Sequence, residues 1–474
     1  MIRSSASLTG DAELEADVCV IGAGAAGLVL ARELASSGAR VCLLESGGRK
    51  PAPGPDPMYQ IHATQLPVAD DSRVRAFGGT TTVWAGRWKR FDPIDFEPRP
   101  WVRHSGWPVS YASLDPYYVR AGRAVGVRDH ATHDAGEADT VAALVKSDAV
   151  VPTVFHTLRE DQRDFGRALT RTIEGADSVD AVLDAHVVQL ERDRRAVGRV
   201  LVRGAGGGRF AVRARQVVIA TGGIENARTL LLSGIGNQHD QVGRYFMDHP
   251  KAKVGVVETY EPLDMSSWEG LSENAPVWVG LRLSDEVQRA EEVLNSYVFL
   301  EPAFERDIPR RLARRAIRPR RCRLLALRNY MEQEPDPDNR VFLGADRDPL
   351  GQARASVTWT LGERDRRTIV ALHRVLRREL QRAGVGELDS PLLHPGGADG
   401  GVFPEFQDAS HHMGTTRMGT DPRTSVVDPD CRVHDTDNVF VAGSSVFPTS
   451  GYANPTATIA ALAVRLADHL KARR

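Results

Sequence analysis

Apolar runs and helical patterns alternate at the start of the chain. Residues 17–21 form a short apolar run rich in β-branched side chains, and a glycine turn at 22–27 follows it directly. A helical pattern then continues to Gly38, and a second apolar run at 40–44 ends beside Glu45. This order predicts a βαβ unit whose helix stops by Gly38, because glycine commonly ends helices.

The pattern changes twice further along the chain. Residues 181–222 predict a run of strands, the last of which leads into a turn and a new helix. Between residues 252 and 403, alternating strand patterns surround one long amphipathic helix at 363–382, and that block has no glycine-rich phosphate turn. The tail returns to strand, loop and helix, with the final helix predicted at 456–473.

Two segments are predicted to be irregular. Residues 51–67 are rich in proline and polar side chains, and residues 84–118 are rich in aromatic residues and proline. Such composition favours loops that cover other elements. Because 474 residues exceed what one hydrophobic core usually supports, two domains are predicted.

Charge and targeting features exclude several classes of function. The formal net charge is -1, so the chain as a whole does not attract nucleic acid or an anionic membrane. The one strongly basic stretch, 306–328, lacks interleaved aromatic residues and predicts a solvated face rather than a nucleic-acid site. There is neither an apolar leader nor a run approaching the roughly 20 apolar residues of a spanning helix. A cytoplasmic enzyme that binds neither nucleic acid nor membrane is expected.

The cysteine pattern argues against a disulfide framework and against a zinc site. The chain has four cysteines, widely spaced and without a C-x-x-C pair: Cys19, Cys42, Cys322 and Cys431. Clustered cysteines or histidines are the usual signature of structural zinc. No bound metal is expected.

The glycine turn has the G-x-G-x-x-G spacing of a dinucleotide site. Gly22 permits the tight turn, Gly24 lets the backbone approach a pyrophosphate, and Gly27 allows close packing of the helix. The helix start offers amide donors and positive dipole to the phosphates. Glu45, 23 residues after Gly22, can accept hydrogen bonds from a ribose diol. A purely structural turn is the alternative, and the turn alone does not separate FAD from NAD.

Other segments favour FAD. Residues 217–223 follow a strand-rich excursion and residues 439–443 lie far along the chain, and both look like the flavoprotein variant of this fold. In that variant, widely separated pieces of chain hold the cofactor.

With these segments and four further stretches, the sequence resembles the glucose-methanol-choline (GMC) oxidoreductase family. Within it, the chain is similar to bacterial sugar oxidoreductases related to pyranose oxidase and C-glycoside 3-oxidase. The resemblance covers nearly the whole chain. The stretches are 78–86 (GGTTTVWAG), 222–228 (GGIENAR), 242–249 (VGRYFMDH), and 411–419 (HHMGTTRMG) together with 451–456 (GYANPT).

The resemblance implies a fold class and a domain division. It implies an α/β chain, α+β overall, with a Rossmann-like FAD-binding domain of GMC type. A discontinuous substrate domain on a mostly antiparallel sheet would complete the molecule. The FAD-binding domain is predicted to comprise 1–90, 166–250 and 406–474, and the substrate domain 91–165 and 251–405.

The resemblance also implies which residues contact FAD. The loop around residues 78–86 would lie against the isoalloxazine ring, and the tail helix would direct its positive N-terminus at the ring. The predicted cofactor residues are Gly22, Gly24, Ala25, Ala26, Gly27, Glu45, Ser46, Gly79, Thr80, Thr81, Trp84, Ala85, Val187, Ala220, Thr221, Gly222, Asn226, Gly443, Ser444, Asn454, Pro455 and Thr456.

One departure from the family pattern concerns how FAD is attached. Pyranose oxidases that bind FAD covalently have a histidine just before the tryptophan of this loop, where this chain has Val83 before Trp84. A non-covalent FAD is therefore expected.

Oxidising an alcohol with a flavin requires a base beside the flavin N5, and a neutral histidine suits that role. His411 and His412 are both candidates, and alignment on the Met-Gly-Thr that follows places His411 at the family's catalytic position. His412 is then expected to be structural. Asn454 fills the second catalytic position, where an amide can orient the substrate hydroxyl and stabilise a developing alkoxide. His249 is expected to support the flavin site.

These residues predict oxidation of a secondary alcohol of a sugar, glycoside or cyclitol to a ketone. Tyr330, Glu332 and Gln333 are candidate substrate contacts. The alternatives are oxidation of a non-sugar alcohol and a GMC-type lyase that uses FAD only structurally. A flavin-binding subunit without activity and an NAD-linked enzyme are further rivals. The electron acceptor, O2 or another oxidant, is open, as are the regioselectivity and the oligomeric state.

Overall fold

The structure is a computed structural model, and it describes residues 1–8, 12–127, 145, 147–264, 277–303, 321–397 and 403–473. Much of the arginine-rich stretch discussed above, residues 304–320, lies outside the described residues. The strands are β1 (Ile2–Ser4), β2 (Ala12–Ile21), β3 (Val41–Leu44), β4 (His62–Gln65), β5 (Arg87–Trp88), β6 (Val150–Thr157), β7 (Val179–Leu183), β8 (His186–Asp193), β9 (Ala196–Arg203), β10 (Arg209–Ile219), β11 (Lys251–Asp264), β12 (Val277–Leu283), β13 (Ser296–Pro302), β14 (Arg321–Met331), β15 (Arg340–Arg347), β16 (Ala353–Trp359), β17 (Gly386–Asp389) and β18 (Val439–Val441). The helices are α1 (Ala25–Ala35), α2 (Pro93–Phe96), α3 (Tyr111–Ala124), α4 (Glu160–Arg163), α5 (Phe165–Glu174), α6 (Glu225–Ser233), α7 (Asp285–Glu291), α8 (Glu363–Arg382) and α9 (Thr456–Ala472).

The first sheet has a parallel centre. Its order is β1-β7-β3-β2-β10-β9-β8, and β18 also pairs with β10. In this order, β1, β7, β3, β2 and β10 pair in parallel, and β18 also pairs in parallel with β10. Strands β9 and β8 extend the sheet with antiparallel pairs. The second half of β2, Val18 to Ile21, is buried on both faces. Burial on both faces is typical of strands in a parallel sheet and explains the continuous apolar run in the sequence.

Helices cover this sheet with apolar faces. Helix α9 packs against both α1 and α3. Its contact with α3 includes a buried hydrogen bond of 2.7 Å between the Tyr118 and Thr458 hydroxyls. The starts of α1 and α9 therefore lie on elements fixed against the same core.

A second sheet is antiparallel throughout. Its order is β17-β11-β14-β13-β12-β6-β5, and α8 packs on it. Ile369, Leu372, Leu376 and Leu380 are fully buried at helical spacing, which gives α8 its apolar stripe. A third, small sheet has the order β15-β16-β4. The fold class predicted from the sequence, a Rossmann-like α/β unit with a largely antiparallel second sheet, is confirmed.

The sequence located the strongest elements and misjudged two irregular segments. Helix α8 has the predicted bounds, and the last strand predicted within 181–222 is β10. The segment 84–118 is not irregular throughout, because α3 begins in it. Ser110 caps that helix by accepting a hydrogen bond of 3.2 Å from the Ser113 amide, and the helix accommodates Pro116.

The second misjudged segment, 51–67, includes β4. This strand pairs in parallel with β16, about 290 residues further along the chain, with His62 opposite Ser356. A pairing over that distance leaves no local signal.

The strands of the two main sheets follow the predicted domain segments with one exception. The first sheet draws its strands from 1–90, 166–250 and 406–474, and the second from 91–165 and 251–405 apart from β5. The domain division itself remains a prediction. In the part of the chain that the structure describes, no helix is both long and apolar enough to cross a membrane.

Candidate functional site

A large cavity opens where the parallel strands of the first sheet end. Its volume is about 1070 Å³, and the residues at or just after the carboxyl ends of β2, β3, β10 and β18 line it. Ligands of open α/β sheets bind at this edge. The volume is slightly above the range of roughly 300–1000 Å³ for small-molecule sites, so a dinucleotide and a substrate can share it.

The glycine turn forms one wall, and its three glycines differ in role. A Cβ on Gly22 (φ +102°) would lie 2.5 Å from the Ala220 carbonyl oxygen, and a Cβ on Gly27 would lie 1.9 Å from the Gly22 carbonyl oxygen. Gly24, by contrast, has no atom within 4 Å of such a Cβ and lines the cavity. Gly22 and Gly27 are required for packing, and Gly24 leaves space for a ligand at the start of α1.

Glu45 lies at the end of β3 beside this turn. Its carboxylate accepts hydrogen bonds from the Ala23 amide (2.9 Å) and the Gly47 amide (2.8 Å). Burial raises the pKa of Glu45 to about 7, although the two amides act in the opposite direction. Each carboxylate oxygen can still accept another hydrogen bond, as a ribose diol would require.

The flavin loop predicted from the sequence faces the same cavity. Residues Gly79–Thr82 form a short 3-10 turn, and a Cβ on Gly79 would lie 2.9 Å from the Gly24 Cα. The Trp84 indole donates a hydrogen bond of 2.7 Å to the Arg163 carbonyl, which fixes the ring at the cavity wall. Val83 also lines the cavity and is 60% exposed.

All but two of the predicted cofactor residues line the cavity. The exceptions are Gly27, beneath the turn, and Asn226, which is fully buried. Asn226 Oδ1 accepts hydrogen bonds from the Thr221 amide and hydroxyl, and its Nδ2 donates to the Ala442 carbonyl (3.1 Å) and the Ser445 hydroxyl (2.8 Å). Asn226 thus joins the end of β10 to the end of β18 behind the cavity wall.

His411 and Asn454 meet at one end of the cavity. Asn454 Nδ2 lies 3.1 Å from His411 Nε2, and His411 Nδ1 lies 2.9 Å from His249 Nδ1. The chain of contacts ends at the Ser450 carbonyl, 3.1 Å from His249 Nε2. The loop at 449–455 and the loop at 408–413 are therefore joined through His249, which lies just before β11.

The chemistry of the partners fixes the tautomers along this chain. A carbonyl only accepts, so His249 Nε2 donates to Ser450, and the neutral ring then accepts at Nδ1. His411 consequently donates from Nδ1 and presents a lone pair at Nε2, to which Asn454 donates. Asn454 Oδ1 is left buried without a hydrogen-bond partner in the described structure. An unprotonated Nε2 beside a free amide oxygen is suited to receiving a hydroxyl group.

Both histidines are neutral at physiological pH. Burial lowers the pKa of His249 to about 4. For His411, burial lowers the pKa well below its usual value, and His249, His412, Lys251 and Arg87 act in the same direction. A neutral imidazole is the form that can accept a proton.

Asp248 organises the backbone around His411, a role that the sequence did not reveal. Its buried carboxylate accepts hydrogen bonds from the amides of His249 (2.5 Å), Ala409 (3.0 Å) and His411 (3.2 Å). Ser410, directly before His411, has a left-handed backbone (φ +61°). Such backbone strain in a non-glycine residue is common at functional sites. The only hint in the sequence was the position of Asp248 next to His249.

His412 contacts a different set of groups from His411. Its Nε2 lies 3.9 Å from carboxylate oxygens of both Asp248 and Asp408, and its ring packs on Phe246. The three groups lie close enough to hold a metal ion, a possibility that the sequence did not suggest. Burial raises the pKa of Asp248 to about 6.

The candidate substrate contacts separate into two sets. Tyr330 lines the cavity and stacks on Tyr297 with 5.1 Å between ring centroids. Glu332 is fully buried and pairs with Arg99 (2.5 Å), and Gln333 is buried and bonded to Trp359 (3.0 Å). Neither Glu332 nor Gln333 lines the cavity.

Two helix starts point positive dipole into the cavity. Gly24 and Ala25 open α1, and Asn454, Pro455 and Thr456 open α9; all five line the cavity. An anionic pyrophosphate and a reduced flavin ring are each stabilised by such helix ends. Together with the open space at Gly24 and the unpartnered Asn454 Oδ1, the residues fit FAD.

Comparisons with known proteins lead to the same family. Residues 335–463 match the family model described as GMC oxidoreductase, and residues 16–258 match that described as pyridine nucleotide-disulphide oxidoreductase. The chain is 29% identical to 6'''-hydroxyparomomycin C oxidase of Streptomyces lividus, over 98% of this chain and 94% of that protein. It is also 29% identical to C-glycoside 3-oxidase of Microbacterium trichothecenolyticum, over 90% and 82%.

Solved structures show the same fold. The crystal structure of pyridoxine 4-oxidase from Mesorbium loti matches with a TM-score of 0.62 and 20% identity, over 96% of this chain and 98% of that one. The family, the cofactor FAD and the enzyme class predicted from the sequence are confirmed. The chain belongs to the GMC oxidoreductases and is an FAD-dependent oxidoreductase that acts on alcohol groups.

Proposed function

We propose that this protein oxidises a secondary alcohol of a sugar, glycoside or cyclitol to a ketone, with His411 as the base and Asn454 as its hydrogen-bonding partner. The observation that supports this most strongly is the ordered chain from the Ser450 carbonyl through His249 to His411. It leaves His411 Nε2 unprotonated in the cavity that the dinucleotide turn also lines.

FAD held by the cavity-lining residues would supply the acceptor for the hydride, and O2 or another external acceptor would take up the two electrons. His411 Nε2 takes the hydroxyl proton while the C–H bond breaks with loss of hydride and the carbonyl forms. Asn454 Nδ2, which bonds to His411 Nε2 in the structure, would donate to the substrate oxygen instead, which frees the Nε2 lone pair and stabilises the developing negative charge. Its Oδ1 accepts from a neighbouring group of the substrate.

The substrate class rests on Asn454 and on the relatives. Asn rather than His at this second position is the pattern of the pyranose-oxidising members that the sequence resembles. The relatives are named as oxidases of 6'''-hydroxyparomomycin C and of C-glycosides. Oxidation of a non-sugar alcohol and a lyase reaction are the alternatives, and substrate-dependent bleaching separates an oxidoreductase from a lyase.

The cofactor contacts and attachment belong to the same proposal. The cavity-lining residues predicted from the sequence hold FAD without a covalent bond, because the residue before Trp84 is Val83 and the described wall shows no nucleophile in that position. Acid precipitation is expected to release all yellow colour into the supernatant. Colour retained in the washed pellet would overturn this part of the proposal.

The decisive experiment is anaerobic reduction of the FAD-loaded protein by a panel of sugars, glycosides and cyclitols, with the His411→Ala variant beside the native enzyme. Loss of a positioned base is expected to lower the rate of bleaching by about 10²- to 10⁴-fold, with FAD content and melting temperature retained. His62→Ala is the matched control, because His62 is exposed on β4. Bleaching of the His411→Ala variant at the native rate would refute the assignment.

A further inference from the structure

Two cations line the catalytic end of the cavity. Lys251 begins β11, opposite Tyr330 in β14, and Arg87 belongs to β5. The Arg87 guanidinium lies over the rings of Trp278 (4.5 Å) and Phe299 (4.9 Å). Both positive charges reach His411 electrostatically, since both help to lower its pKa.

Neither cation has a counter-ion in the described part of the chain. Within 4.0 Å of the Arg87 guanidinium or of Lys251 Nζ, the described residues place no carboxylate oxygen. Arg328, a third cation of the cavity wall, does have one: Glu301 lies 3.0 Å away and also pairs with Lys253 at 3.3 Å. Glu301 thus pairs with both Arg328 and Lys253, whereas Arg87 and Lys251 have no counter-ion among the described residues.

The acidic residues that line the cavity either bond to groups other than Arg87 and Lys251 or lie on a separate turn. Glu45 accepts backbone amides, Asp56 pairs with Arg75, and Glu225 pairs with Arg73 and Arg228. Asp70 and Asp71 also line it, on the turn before Arg73. Asp408, whose pKa Lys251 helps to lower, binds the Ala69 amide and faces His412.

Half-buried cations without counter-ions are unfavourable, and two in one cavity also repel each other. A bound anion removes both costs, and Arg with Lys is a common pair for carboxylate and phosphate groups. We propose that the substrate is an anionic carbohydrate, whose carboxylate or phosphate group binds Arg87 and Lys251 while its secondary alcohol lies at His411 and Asn454. This inference rests on the proposed function. It also predicts that cationic aminoglycosides, related to the named substrate of one relative, are poor substrates here.

The test compares four substrates by anaerobic bleaching of the FAD-loaded enzyme: D-glucuronate, D-glucose 6-phosphate, D-glucose and paromamine. At least one anion is expected to show kcat/KM at least tenfold above glucose, with paromamine lowest. The preference should shrink with added salt, because exposed charge interactions are screened. A preference for glucuronate identifies the carboxylate as the ligand, and a preference for the 6-phosphate identifies the phosphate.

Variants connect the preference to the two cations. Lys251→Met and Arg87→Gln are each expected to lower the anion-to-glucose ratio of kcat/KM at least tenfold, chiefly through KM. Lys253→Met is the matched control, because Lys253 lies on the same strand, is 64% exposed and is paired with Glu301. It should leave the ratio unchanged.

The outcomes that overturn the inference differ from those that overturn the proposed function. Bleaching by glucose or paromamine at least as efficient as by both anions refutes the anionic substrate and leaves alcohol oxidation intact. Loss of FAD affinity in both variants with an unchanged anion-to-glucose ratio refutes it too, since the cations then serve the cofactor. Absence of bleaching by any sugar, glycoside, cyclitol or simple alcohol refutes the proposed function itself.

Discussion

The two ends of the cavity are built in different ways. At the dinucleotide end the glycine turn packs backbone against backbone, and close approaches such as Gly27 against the Gly22 carbonyl leave no room for a side chain at those positions. At the catalytic end the wall is a network of side chains, in which Asn454, His411 and His249 are joined from separate segments. The first end selects shape and the second sets proton positions.

The difference determines how each end responds to change. Close backbone packing does not tolerate an added side-chain atom. A Cβ on Gly27, placed 1.9 Å from the Gly22 carbonyl oxygen, would have to displace the main chain. A hydrogen-bond network weakens gradually, since each lost partner costs about 1–3 kcal/mol. Substitutions at the first end should abolish cofactor binding, and those at the second should reduce rate while FAD stays bound.

The largest expected effect is that of Gly27→Ala. We expect loss of FAD binding and of most folded protein, because the new methyl group overlaps the Gly22 carbonyl. Gly24→Ala is the matched control: its Cβ meets nothing within 4 Å and its φ of -82° suits alanine, so the fold should survive. FAD affinity should nevertheless fall at least about tenfold, since the methyl group enters the space for the pyrophosphate. Absorbance of the purified variants reports bound FAD, and calorimetric titration gives the FAD affinity. FAD binding by Gly27→Ala at native affinity would contradict the comparison.

An intermediate effect is expected for His249→Ala. His411 Nδ1–H loses its buried acceptor, so kcat should fall about 10- to 100-fold while FAD remains bound. The acid limb of the pH profile should also move upward, because the His249 ring helps to lower the pKa of His411. A merely structural residue would not move that limb. His249→Asn, which restores an acceptor near Nδ1, should recover part of the rate, and an unchanged pH profile in His249→Ala would count against the fixed tautomer.

The smallest effect concerns the pH dependence of the native enzyme. The base acts in its neutral form and its folded-state pKa is depressed, so activity is present above that pKa and is lost only as pH falls through it. A histidine with a pKa of about 6.5 would be half protonated at that pH and would show about half of the maximal kcat/KM. We expect the full value at pH 6.5 and an acid limb below it.

Stability must be followed in the same experiment. The depressed pKa of His249, about 4, means that acidification below about 6.5 protonates the unfolded chain first and destabilises the fold. Circular dichroism at each pH separates unfolding from protonation of the base. A half-maximal kcat/KM at or above pH 6.5 in folded protein would show that His411 is not the titrating base.

The same division explains what the sequence could predict. The glycine turn and α8 follow from local spacing, and the proposal of His411 and Asn454 as the catalytic pair follows from contiguous motifs of the resemblance. The hydrogen bonds of Asp248 to the His411 loop, and the unpaired charges of Arg87 and Lys251, depend on segments brought together over more than 150 residues. No local pattern records such contacts, just as none recorded the pairing of β4 with β16.

The hydrogen bonds by which Asn226 joins the ends of β10 and β18 have a consequence for how the molecule acquires its cofactor. The bond from Asn226 to the Ala442 carbonyl spans 216 residues, and β18 docks on β10 in the same region. Closing so long a loop is slow compared with forming local helices and hairpins. During refolding, secondary structure should therefore recover first and the yellow, FAD-bound state should appear in a later kinetic phase.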